Sequence, residues 1–235
     1  MKHLGRYFGF YSELRRYERL PGAGKVPRRD LHPCFGENTA STGFDSHYFY
    51  QDIWAFRKIV RSGAAKHVDV GSRVDYVGFL TAVTNVTFID IRPLQATLEN
   101  LRSLPGSILS IPFPDGSVES LSCLHVAEHI GLGRYGDPLD PLGTVKACAE
   151  LRRCLAPGGC LYFALPIGKP RVCFNAHRIH SCGQILEYFE GLRLVEFSFV
   201  DDGARFTVNA DMASADGARY GCGLFHFVKP AATCA

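Results

Sequence analysis

SILSIPFPDGSVESLSCLHVAEHIGLGRYGD, residues 107–137, changes character twice along its length. A breaker-rich segment, Ile111-Pro-Phe-Pro-Asp-Gly, gives way to a largely apolar run, Glu119–Val126, that predicts a strand. A polar loop punctuated by Gly131, Gly133 and Gly136 follows at once. His125, Glu128 and His129 therefore arrive where the strand stops. In open α/β sheets that carboxyl edge is where ligands bind.

On both sides of this stretch, strand and helix signals alternate. Upstream, 66–71 predicts a strand, 74–83 a helix, 86–91 a strand, and 93–104 a short helix or turn. Downstream, a helix is expected over 138–155, closed by Ala-Pro-Gly-Gly, and a strand over 160–165. A helix over 181–189, a strand over 192–200, a polar tract over 201–220 and a last strand over 223–228 complete the pattern. Such alternation predicts a mostly parallel sheet covered on both faces. Two helices precede it. One spans 4–20 and ends at Pro21-Gly22. The other starts at Asp45 with Phe49, Ile53, Phe56 and Val60 along one apolar face, and stops near Ser62-Gly63. The expected division is a basic helix and linker over 1–44 and an α/β domain over 45–235.

With 46% apolar and 21% charged residues, the 235-residue chain has the composition of a globular protein. Its net charge of +3 gives no reason to expect a nucleic-acid partner. The charge is uneven: residues 1–30 carry net +5 and the remainder −2. That arm suits either a solvated helix face or peripheral contact with an anionic surface. Nine cysteines without a C-x-x-C pair, several inside apolar runs, read as buried free thiols. The opening MKHLGRYFGF has no apolar leader segment, and the expected compartment is a reducing cytosol.

Two short motifs fail on their context. Gly-Ala-Gly-Lys, 22–25, lacks the first glycine and the Ser/Thr of a phosphate loop, since Arg19 and Val26 stand there. His125-Val-Ala-Glu128-His129 has the H-x-x-E-H spacing of a zinc protease, but it straddles a strand end instead of lying on one helix.

Asp69-Val-Gly71-Ser72, then Ile-Asp90-Ile, then Ile-Pro-Phe-Pro-Asp-Gly, then Ala-Glu-His-Ile, then Glu-Leu-Arg-Arg-Cys-Leu-Ala-Pro-Gly-Gly follow in order. This succession, over residues 64–200, resembles the class I S-adenosylmethionine-dependent methyltransferases. HYFYQDIWAFRKI and EHIGLGRYGDPLDPLG resemble a narrower methyltransferase-like family often associated with bacterial surface-polysaccharide synthesis. The resemblance implies a Rossmann-like, doubly wound α/β fold with an antiparallel last strand, and S-adenosyl-L-methionine as cofactor. It places Asp69, Gly71 and Ser72 at the methionine half, Asp90 at the ribose, and Ile91 and Arg92 beside the adenine. Ser107 and Ile108 would line the adenine, and His125 would face both cofactor and acceptor. The chain departs from the family in lacking the second and third glycines of the first loop and in having Ser107 where Asp is common.

The expected reaction is O-methylation of a sugar or glycan precursor. A hydroxyl acceptor must lose its proton, and histidine is a suitable base. His129 with Glu128 is the first candidate, followed by His177 and His180. Arg134, Tyr135, Asn175 and Arg178 are candidates for acceptor binding. Arg134 could equally pair with Asp137 or Asp140 inside the loop. Some related methyltransferases bind a divalent ion through this Glu-His pair and a later histidine, for which His177 or His180 would serve; no metal is expected here. The alternatives are a non-catalytic binding protein on the same fold and, more remotely, a metallohydrolase.

Overall fold

The computed structural model describes residues 2–231. They divide into two units, one up to residue 44 and one from residue 45. The first holds α1 (Lys2–Tyr17) and a linker in which Glu18 accepts hydrogen bonds from Lys25 and the Val26 backbone.

The second unit is built on an eight-stranded sheet. Its strands are β1 (Lys66–Val70), β2 (Asn85–Asp90), β3 (Leu101–Pro105), β4 (Val118–Leu124), β5 (Leu155–Ile167), β8 (Arg193–Val200), β9 (Phe206–Thr207) and β10 (Gly221–Val228). The order is β3-β2-β1-β4-β5-β10-β8-β9. From β3 to β5 all neighbours are parallel. β10 runs antiparallel between β5 and β8. The chain steps from β1 outward to β3 and then returns to lay β4 on the other side of β1. That reversal opens a crevice at the carboxyl ends of β1 and β4.

Period-two alternation gives each strand two environments. Val68 and Val70 face the core under α4 (Gly143–Cys154) and α5 (Cys182–Tyr188), with Leu121, Cys123, Leu151 and Phe189. The opposite core, under α2 (Ser46–Ser62) and α3 (Val74–Leu80), contains Trp54, Ile59, Tyr76, Leu80 and Phe88. Among the described residues all eight cysteines are free, and five of them are fully buried. No described helix is long and apolar enough to cross a membrane.

Several expectations change. Residues 101–104, expected within a helix or turn, belong to edge strand β3, which pairs in parallel register with β2. The Ala-Pro-Gly-Gly expected to close α4 lies inside β5, where the register slips between Val118 and Ser120. α4 begins at Gly143 and not at Pro138, because Asp140 accepts a hydrogen bond from the Leu142 backbone and holds the preceding residues in a turn. A short hairpin, β6 (Arg171–Cys173) and β7 (His177–Ile179), and a helix α6 (Met212–Asp216) were not anticipated.

The largest difference concerns α2. Its ends are as expected: the Asp45 side chain accepts from the His47 and Tyr48 backbones, and Gly63 closes the helix at φ +65°. Its buried face is His47, Gln51, Trp54, Ala55 and Ile59, whereas Phe49 and Val60 remain about half exposed. Polar partners draw this face inward. Trp54 Nε1 donates to Glu196 Oε1 at 2.8 Å, and Lys58 pairs with Glu196 at 2.7 Å, anchoring α2 to β8.

Candidate active site

A cavity of about 320 Å³ occupies the crevice. Gly71 follows β1, Asp90 ends β2, Ser107 and Ile108 follow β3, and His125 and Val126 follow β4. His129, Ile130 and Tyr135–Pro138 complete the wall.

Gly71 sits at φ +72°, and a β-carbon there would lie 3.0 Å from Val126 Cγ1 and 3.8 Å from Asp90 Oδ2. The loop therefore runs as bare backbone beside the Asp90 carboxylate. Asp90 Oδ1 accepts the Arg92 backbone N–H at 2.7 Å, and Oδ2 is the oxygen on the Gly71 side. Ile89, Ile91, Ile108, Leu109 and Val126 give the cavity apolar walls. The Arg92 guanidinium lies 4.7 Å from the Tyr135 ring centre, so these two expected site residues contact each other at the rim.

Asp69 and Ser72 stand behind the cavity and do not line it. Asp69 is fully buried and accepts from the Ser72 backbone at 3.0 Å, from Ser72 Oγ at 2.7 Å and from Ser122 Oγ. Ser72 Oγ also accepts the Leu124 backbone N–H. Their observed role is to lock the β1 loop onto β4, and of the three residues expected at the methionine half only Gly71 lines the cavity. Burial pushes Asp69 up to about 7 against three donors that pull it down. The lock extends further inward. With the Ser122 hydroxyl donating to Asp69, His67 Nε2 donates to Ser122 Oγ at 2.8 Å, and Nδ1 accepts from Ser120 at 2.7 Å. Burial alone drives His67 down to about 3.

β4 runs into a single 3-10 turn, Ala127–His129. His129 Nδ1 donates to the Ala176 carbonyl at 2.6 Å. The Arg134 guanidinium converges on the same carbonyl at 3.2 Å. This fixes the tautomer with the lone pair on Nε2. Burial pushes His129 down to about 4, so that lone pair is available at neutral pH. Nε2 lies 3.7 Å from Glu128 Oε1. Glu128 is fully buried, and among the described residues neither of its oxygens has a hydrogen-bond partner. Burial raises it to about 8, which makes it a neutral acid at pH 7.

Other candidates lie elsewhere. Arg178 is buried, donating from Nη1 to the Ile130 carbonyl at 2.5 Å and from Nη2 to the Asp140 carbonyl at 2.9 Å. It braces the loop over 128–143 and does not line the cavity, where its expected acceptor-binding role would place it. His180 packs edge-on against Tyr188 of α5, buried and outside the cavity wall, so it does not share the cleft with His129. Asn175 is exposed and also outside that wall. His177 packs 5.0 Å from the Tyr220 ring. Arg134 pairs with neither Asp137 nor Asp140: Asp137 accepts from the Gly131 and Tyr135 backbones, and Asp140 pairs with Lys146.

The loop's glycines have a steric cause. A β-carbon on Gly131 would strike the Asp140 carbonyl, and one on Gly143 would strike the Ile130 carbonyl. The two ends of the loop press together as backbone, and Arg178 caps both.

Sequence reasoning missed the α2 contribution. Gln51 Oε1 lies 2.7 Å from His125 Nδ1, and the rings of His47 and Tyr48 lie 5.5 and 5.3 Å from that of His125. The available signal was His47 and Gln51 four residues apart, one polar stripe on a helix read only for its apolar residues.

Strand order, crevice and strand-end carboxylate together define the class I S-adenosylmethionine-dependent methyltransferase fold. Residues 68–163 match the model described as a methyltransferase domain. Residues 116–218, which contain the loop over 128–143, match DUF268, described as a Caenorhabditis protein of unknown function. No curated protein matches. Among solved structures, the N-methyltransferase NodS of Bradyrhizobium japonicum WM9, in complex with S-adenosyl-L-homocysteine, is 16% identical with a TM-score of 0.57, covering 94% of this chain and 98% of its own. The [4+2]-cyclase SpnF is 15% identical with a TM-score of 0.58, covering 83% and 85%. The YcgJ protein of Bacillus subtilis is 14% identical with a TM-score of 0.51, covering 76% and 99%.

The cofactor that this domain implies is S-adenosylmethionine, and the residues present fit its adenosine half. A carboxylate oxygen faces a bare glycine backbone between apolar walls, the acceptor a ribose diol requires and the surface a flat purine requires.

Proposed function

We propose that the chain is an S-adenosylmethionine-dependent methyltransferase acting on a hydroxyl of a sugar or glycan precursor in the cytosol. The observation that carries this reading is the placement of Asp90 Oδ2 and the unprotonated His129 Nε2 on one cavity wall system. When bound, S-adenosylmethionine supplies an electrophilic methyl group. Asp90 accepts the ribose hydroxyls, Gly71 admits close approach, and Ile91, Ile108 and Leu109 exclude water from the adenine. His129 Nε2 removes the acceptor's proton, with Nδ1 held by the Ala176 carbonyl so that the ring keeps its orientation. Arg92, Tyr135 and Arg134 form the rim against which an acceptor would lie, and proximity supplies much of the rate. The sugar class rests on the resemblance of the Gly-Leu-Gly-Arg-Tyr-Gly-Asp loop to proteins of surface-polysaccharide synthesis. The basic residues of 1–30 would guide the chain to an anionic surface.

Calorimetry with S-adenosylhomocysteine tests the cofactor half: absence of heat at high micromolar ligand overturns it. Incubation with methyl-labelled cofactor and a panel of nucleotide sugars and glycans, read by mass spectrometry, tests the acceptor half.

A second reading is a non-methylating protein on the same fold. It is favoured by the single-glycine loop, with Asp69 and Ser72 both turned inward, and by the likeness to a cyclase that uses this architecture. Cofactor binding without label transfer to any acceptor would select it.

A further inference from the structure

We propose that His47, His125 and Cys222 form a zinc site beside the cleft, of whose wall His125 is a part. Three separate elements supply them: α2, the turn after β4, and β10. One ring nitrogen of each histidine and the Cys222 sulfur lie within 4.8 Å of one another. Cys222 is fully buried, His125 is 8% exposed and His47 9%.

A cluster of such residues could be packing alone, but the hydrogen bonds around His125 say more. Gln51 is itself fully buried and donates from Nε2 to Asp52 at 3.2 Å, which turns its carbonyl oxygen toward His125. His125 Nδ1–H donates to that oxygen at 2.7 Å. The lone pair is thereby placed on Nε2, which is buried and, among the described residues, has no hydrogen-bond partner, while Cys222 Sγ lies 4.0 Å from Nδ1 of the same ring. A ligating histidine fixed by an acceptor on its other nitrogen is the usual arrangement behind a metal ligand. His125 also sits at φ +56°, a backbone state unusual for a side chain of its size. Such outliers concentrate where a side chain must be aimed.

Two imidazoles and one thiolate suit zinc, and three protein ligands leave one tetrahedral position for water or an acceptor oxygen. Binding requires the Cys222 thiol to release its proton to solvent, so uptake of one ion should release about one proton at pH 7. This inference needs neither cofactor nor acceptor and stands apart from the methyltransferase reading.

The test uses the full chain, stripped with a chelator and dialysed. Titration with zinc, read by elemental analysis and proton release, should give one ion and about one proton per chain. Cobalt substitution should produce a thiolate-to-metal charge-transfer band in the unmutated protein. Cys222→Ser should abolish that band, and His47→Ala or His125→Ala should weaken zinc binding at least tenfold. Gln51→Ala should weaken it about 10- to 100-fold by releasing the imidazole. Failure of the unmutated chain to bind zinc or cobalt at micromolar concentration overturns the proposal. So does an ion bound without the thiolate band, or one retained at full affinity in both Cys222→Ser and His47→Ala. Because the band is read on the unmutated chain, a variant that fails to fold does not decide the outcome.

Discussion

The Asp90 carboxylate faces Gly71 across the crevice, with Oδ2 3.8 Å from the point where a β-carbon on residue 71 would lie. One oxygen is occupied by the Arg92 backbone and the other is left for a ligand. Asp90→Ala should weaken S-adenosylhomocysteine binding by about 1.5–3 kcal/mol, the usual worth of hydrogen bonds to a charged group. That is roughly 10- to 150-fold in Kd by calorimetry. Gly71→Ala should be worse, since the new methyl group enters the same space at a strained φ. Unchanged affinity in both variants would move the adenosine out of this crevice.

The sheet was legible because its inner strands are short apolar runs bounded by breakers, a pattern that parallel burial imposes. β3 was not, because an edge strand needs only one covered face, and Leu101-Arg-Ser-Leu-Pro carries two apolar side chains. The cavity residues Gly71, Asp90, Ser107, Ile108 and His129 could be named from strand-end position and resemblance. Arg178 and His180 could not be separated from His177 in the same way. Alternation along a three-residue strand sends neighbours to different environments, and Arg178 binds two backbone carbonyls that leave no mark in the sequence. The α2 face was misread because its burial is driven by Glu196 and His125, partners about 140 and 75 residues away.

Arg178 offers a clean contrast between bracing and binding. Truncation to Ala leaves the Ile130 carbonyl without its donor, and the Asp140 carbonyl with the Gly143 backbone N–H alone, in a tightly apposed loop. The expected cost is about 2–4 kcal/mol of unfolding free energy, measured by urea titration. An acceptor-binding arginine would instead raise KM and leave the urea midpoint in place.

His129 should report its environment in the pH profile. Burial holds it near 4, so the imidazole is already neutral over the whole range in which a free histidine would titrate. The prediction is a kcat/KM profile with no limb near pH 6.5 and an acid limb near pH 4. His129→Ala should lower kcat by about 100-fold or more while leaving S-adenosylhomocysteine affinity within about threefold. Parallel loss of both would make the residue structural.

Glu128 gives the sharpest sign. Its folded pKa is raised to about 8 from 4.5 by burial, so between those values the native state binds the proton that the unfolded state has lost. Stability from this group is complete below about pH 4.5 and falls as pH rises toward 8. Glu128→Gln keeps the shape and removes the charge that deprotonation would bury. In chelator-treated protein, the variant should therefore lie within about 1 kcal/mol of the unmutated chain at pH 5 and exceed it at pH 8, by about 4 kcal/mol in urea unfolding. A buried acid that costs stability and finds no hydrogen-bond partner among the described residues is the kind of group kept for function. Turnover should accordingly fall in the same variant that gains stability. If Glu128→Gln is instead less stable at pH 8, the carboxylate is ionised in the fold, and its cationic partner must be sought.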